Sequence, residues 1–195
     1  MRNARAVATP ADAFEGPAAE PVAFAGGPIL VPLSLLADAP DEAAFAFQLA
    51  HAMAHVALRH ATRQATRQEL LNIASVALWQ ARNASGVAAV ALRSSQPLAI
   101  ELGMLTFARG YEREADSVAT GILAEAGYDP EAVVAYLEGR PPADGPRTSK
   151  IFSAHPTMGR REETIRAKME KLPSRDYGAQ TGGFDEVKAL AAIVH

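Results

Sequence analysis

The sequence predicts an α+β domain dominated by helices, with one small edge sheet. Three observations carry that expectation. Apolar residues recur at helical spacing through several long segments. One short run, Ile29-Leu30-Val31, has prolines at both ends (Pro28 and Pro32) and reads as a strand at a sheet edge. The chain has 195 residues, 49% hydrophobic and 21% charged, enough to bury one core without staples.

Residues 1–21, rich in Ala, Pro and Gly, read as a flexible arm, 22–172 as the folded domain, and 173–195 as a linker and C-terminal helix. After the strand, Asp38 reads as an N-cap with Pro40, Asp41 and Glu42 in the first turn. Phe45, Leu49, Met53, Val56 and Leu58 then mark a helix up to about Arg63. Thr66 and Glu69 have the spacing of a capping box for a second helix, from Leu70 to about Ala81. Asn83 to Gly86 is the expected break. A third helix is expected from about Leu98 to Ala126, interrupted near Gly110 and stopped by Gly127. Asp129-Pro130-Glu131 restarts a short helix. Residues 139–150 read as a mobile Pro- and Gly-rich loop, Thr157 to Leu172 as a charged helix, and Asp185 to Val194 as a final amphipathic one.

Composition excludes several classes. A net charge of −3 offers no basic surface for nucleic acid or an anionic membrane. With no cysteine there is neither a disulfide nor a thiolate ligand, so a metal must be held by imidazole and carboxylate. The longest apolar stretch, Val87 to Phe107, is broken by Arg93 and Glu101, so no membrane span is expected. The start, Met1-Arg2-Asn3-Ala4-Arg5, lacks the apolar core of a signal peptide.

The chemistry-bearing residues come in three groups. His51 and His55 are one helical turn apart and can direct two ring nitrogens at one metal ion. Spacing alone also suits a helix with one exposed and one core histidine. Glu112 and Asp116 share the same spacing. One can complete a His₂Glu site and the other can take the spare N–H of a ligating imidazole, unless the run is only a solvated face. His155, beside Pro156, sits in a loop where it can serve as a gate, a fourth ligand or a transition-state donor, or stand exposed. His60 reads as structural or exposed, because one continuous helix would turn it away from His51. The terminal His195 carries no argument.

Together these motifs resemble the HtpX-like gluzincin metallopeptidases, a group that includes the CAAX prenyl proteases and the BepA-type proteases. Their H-E-x-x-H helix stands here as His51-Ala52-Met53-Ala54-His55, followed by Arg59-His60 and Thr62-Arg63. Their E-R-E-A-D motif is intact as Glu112 to Asp116. Gly127-Tyr128-Asp129-Pro130 and His155-Pro156 follow in the family's order, and Val22 to Gly27 stands for the upstream strand and glycine pair. The resemblance covers about residues 22 to 170. It implies a zincin-like fold, one zinc ion, a polypeptide substrate and endopeptidase chemistry. His51, His55 and Glu112 would be the ligands and Asp116 the carboxylate behind them. Ile29, Leu30 and Val31 would be the edge that aligns an extended peptide. It also favours a periplasmic or secreted setting.

Ala52 departs from this pattern. The family's glutamate there takes the proton of the attacking water, and alanine has no group to do so. A positioned acid–base group contributes on the order of a hundred- to ten-thousand-fold, so activity is expected to be weak or lost. Ala52 is an engineered replacement, a natural change in an alanine-rich run, or a site served by another carboxylate. Glu114 is the nearest, and at i+2 from Glu112 it would face away. The alternative function is a non-catalytic zinc- or peptide-binding module. The asparagine that the family carries before Ala23 is Val22 here.

Overall fold

The computed structural model describes residues 13–14, 20–80, 87–139, 158–174, 176–178 and 182–194. Among the described residues, three short strands, β1 (Ala13–Phe14), β2 (Val22–Ala23) and β3 (Ile29–Pro32), precede seven helices. These are α1 (Leu33–Asp38), α2 (Glu42–Ala57), α3 (His60–Gln80), α4 (Val87–Glu125), α5 (Pro130–Gly139), α6 (Met158–Met169) and α7 (Phe184–Val194). The predominantly helical α+β expectation holds.

The sheet is ordered β1-β3-β2. β1 runs parallel to β3, pairing Ala13 with Val31, and β2 runs antiparallel, pairing Val22 with Leu30 and Ala23 with Ile29. The strand expected at an edge is therefore the central one. Its prolines lie just outside it and at its last position, so the amides of Ile29 to Val31 are all retained. Gly26 and Gly27 make the β2–β3 turn at φ 99° and 122°, where a side chain would be strained. Within the segment expected to be a flexible arm, Ala13–Phe14 forms β1.

Four helix boundaries differ from expectation. Asp38 ends α1, and the N-cap of α2 is Asp41, whose carboxylate accepts from the Ala44 amide at 2.8 Å. Pro40 explains the shift, because it holds Ala39 extended at ψ 130° and no helix can run through it. The helix expected to reach Arg63 stops at Ala57, and Arg59 takes a left-handed φ of 57°. The chain re-enters a helix at His60, so Thr66 and Glu69 lie inside α3 and cap nothing. The Thr66 hydroxyl instead donates back to the Thr62 carbonyl at 3.0 Å. Finally, α4 starts at Val87 and passes unbroken through Gly110, a single helical glycine costing only about 1 kcal/mol. The break expected at 83–86 lies outside the described residues, as does the loop expected at 139–150 apart from Gly139, which ends α5.

Other signals match. Gly127, at φ 95°, closes α4 with a pair of bonds: its own amide donates to Ala124 and the Tyr128 amide to Leu123. The Asp129 carboxylate accepts from the Glu131 amide at the start of α5.

The core joins Phe47 and Ala50 of α2, Ala119 and Leu123 of α4, Val133, Val134 and Leu137 of α5, and Ile165 of α6. α2 and α4 form the central pair, with β2 and β3 also against α2 and α6 against α4. Buried alanines (Ala50 and Ala54 on α2, Ala115 and Ala119 on α4) bring few side-chain atoms to these helices. Small residues allow short interhelical distances, and this brings the ends of the His and Glu side chains within one ion's reach. The C-terminal helix is tied in as well. Phe184 stacks obliquely on Phe45 at 5.9 Å, and Lys188 Nζ donates to the Ala39 carbonyl at 2.6 Å. Among the described residues, no helix is long and apolar enough to cross a membrane.

Candidate metal centre

His51 and His55 project from one face of α2 toward Glu112 and Asp116 on α4. The Nε2 atoms of the two histidines lie 3.0 Å apart. Glu112 closes a triangle, with Oε2 3.4 Å from His51 Nε2 and Oε1 3.3 Å from His55 Nε2. Among the described residues this is the set of His and acidic side chains whose ligand atoms gather within 4.8 Å of one another. The spacing has a chemical meaning. Ligands about 2.0–2.1 Å from a tetrahedral zinc ion stand about 3.3–3.4 Å from each other. The two histidine–carboxylate separations match that spacing and the His51–His55 separation is a few tenths of an ångström shorter, and the donors are those a cysteine-free zinc site requires. All three side chains are only partly buried, which leaves an approach for a further ligand.

Behind His51 lies a buried ion network. His51 Nδ1 is 3.0 Å from Asp116 Oδ1, close enough for an ion pair though not well aligned as a hydrogen bond. Asp116 is fully buried and gripped by the Arg161 fork from α6, Nε donating at 3.0 Å and an Nη at 2.8 Å. Burial alone would lower the His51 pKa, but Asp116 and Glu112 outweigh it and push it up to about 9. Burial would raise that of Asp116, yet His51 and Arg161 hold it below the usual carboxylate range.

Behind His55 lies a residue that the sequence reading turned away. His60 is buried, and its Nδ1 is 3.1 Å from His55 Nδ1. Its Nε2 is 3.3 Å from Glu114 Oε2, and Arg63 donates to that same oxygen at 2.7 Å. Burial holds the His60 imidazole below its usual pKa. Its ring stacks on Tyr111 at 4.6 Å, and Arg63 and Arg67 cover the tyrosine. Helical periodicity misplaced His60 because it assumed one continuous helix. The left-handed turn at Arg59 aims the ring back at His55. Glu114 does face away from the triangle, as expected, and the direction it faces is that of His60.

A family model described as Peptidase family M48 matches residues 2–169 of the chain. The chain belongs to peptidase family M48. The expected kinship with HtpX-like and CAAX-protease-like enzymes stands with it. Members of M48 are metal-dependent peptidases, usually with zinc, and act on polypeptides. No curated protein matches the chain. In this M48 chain Ala52 is buried, at 3% exposure, between the equally buried Ala50 and Ala54. His155 falls outside the described residues. Ile29, Leu30 and Val31 lie in β3, whose two sides are taken by β1 and β2.

Proposed function

We propose that this M48 domain is a zinc endopeptidase-type domain whose hydrolytic step is weak or lost because position 52 carries no carboxylate. The convergence of His51 Nε2, His55 Nε2 and the Glu112 carboxylate at 3.0–3.4 Å carries this reading. These three would hold the ion, which when bound supplies Lewis acidity for attack on a peptide carbonyl. Asp116, fixed by Arg161, orients His51 and supports its basicity as a ligand. His155 is the candidate gate or transition-state donor. An extended peptide aligned on Ile29, Leu30 and Val31 would have to take the place of β1 or β2, since β3 has a partner on each side.

One observation favours a second reading, a non-catalytic zinc- or peptide-binding module. Ala52 is a packed residue in a buried alanine run, so the methyl group belongs to the fold. A casein-digestion assay on the chain and its Ala52→Glu variant, with added zinc, separates the two. Chelator-sensitive cleavage by the variant, at least a hundredfold above the parent, supports the peptidase reading. Two inert but zinc-loaded proteins support the binding module.

A further inference from the structure

We infer that His60 is the positioning residue that fixes His55 as a metal ligand, as one neutral tautomer at the head of a His55–His60–Glu114 relay. This rests on the zinc reading above. The argument is proton placement. If His55 ligates through Nε2, which faces His51 and Glu112, that nitrogen carries no proton. The neutral ring then carries its proton on Nδ1. The atom 3.1 Å from that Nδ1 is a nitrogen, His60 Nδ1, and not a carboxylate or carbonyl oxygen. Two N–H groups cannot face each other at that distance, so His60 Nδ1 must be bare and accept. The His60 proton therefore sits on Nε2 and donates to Glu114 Oε2 at 3.3 Å. Arg63 also donates to that oxygen, at 2.7 Å.

Packing supports the assignment. The His60 ring lies at 26° to Tyr111, stacked at 4.6 Å, and at 83° to His55, edge-on at 4.8 Å. Rotation about its bonds is thus restrained while its two nitrogens address two different partners. Such outer partners of metal-bound histidines typically contribute about ten- to a hundredfold in metal affinity.

The test uses the whole chain and zinc competed against a chromophoric chelator. His60→Phe keeps the ring stacked on Tyr111 and removes both nitrogens. Zinc affinity is expected to fall about ten- to a hundredfold. His60→Gln, with an oxygen to accept from His55 and an amide to donate to Glu114, is expected to recover most of it. A structural role alone would not produce that split. Nitrogen NMR of the zinc-loaded protein should show His60 protonated at Nε2 and bare at Nδ1. Wild-type affinity in His60→Phe, or the opposite tautomer, overturns the inference. Should His60→Phe fail to fold, the tautomer and the His60→Gln affinity still decide it. A wild-type chain that takes up no zinc overturns the metal reading itself, which is a different result from a variant that binds as well as its parent.

Discussion

The two histidines proposed as ligands sit one turn apart on the same helix, yet the protein supports them by opposite means. His51 is backed by charge: a fully buried Asp116 clamped by a buried Arg161. His55 is backed by a neutral ring, and the charges beyond it, Glu114 and Arg63, are half exposed. The His51 side spans α2, α4 and α6, so it is also a structural joint. The His55 side crosses from α2 to the start of α3 and meets α4 through the buried Tyr111 ring and the half-exposed Glu114. The contrast predicts that ligand geometry and fold stability are coupled on the His51 side and separable at the half-exposed Glu114 end of the His55 side.

The largest effect should come from breaking the buried joint. Arg161→Met leaves Asp116 buried with half of its charge partners gone. Removing one member of a buried pair costs about 3–5 kcal/mol, a large fraction of a domain's total stability. Urea unfolding should show a midpoint far below the parent's with the slope unchanged. A variant that unfolds at the parental midpoint would mean that the joint does not hold α6 to α4, and the contrast drawn above would fail.

How much of this could be seen in the sequence depends on whether the signal was local. His51 with His55, and Glu112 with Asp116, each lie on one uninterrupted helix, so spacing alone could put each pair on one helix face. Gly127 and Asp129-Pro130 act within a few residues of themselves and were equally legible. Arg161 was not, because its partner is 45 residues away and nothing in Arg160-Arg161-Glu162-Glu163 says which arginine turns inward. His60 was misread for a sharper reason. The left-handed residue at the α2–α3 junction is an arginine, where glycine or asparagine would have flagged the turn. The false capping box at Thr66 follows from the same unseen junction, and the misplaced N-cap at Asp38 from underweighting Pro40.

A middle-sized effect is expected from metal. Zinc binding to the folded chain alone, at a hundred times its dissociation constant, stabilises by about 2.7 kcal/mol. The melting temperature should rise with zinc and return on chelation. Glu112→Ala removes the third corner of the triangle and should abolish most of that rise, with the metal-free melting temperature close to the parent's. An equal zinc-dependent rise in Glu112→Ala would remove Glu112 from the ligand set.

The smallest effect on stability should come from Glu114→Gln, and it is the most informative about the comparison. Glu114 is half exposed, and its pair with Arg63 lies in solvent, where such pairs contribute little. The fold should scarcely register the change. The relay should register it, because an amide oxygen is a weaker acceptor for the His60 Nε2 proton than a carboxylate. Zinc affinity is expected to fall by less than about tenfold, below the loss for removing His60 itself. Affinity lost without stability would show that this side of the site serves the ligand alone. If instead the two fall together, His60 and Glu114 belong to the core as Asp116 does, and the two histidines are supported by one mechanism rather than two.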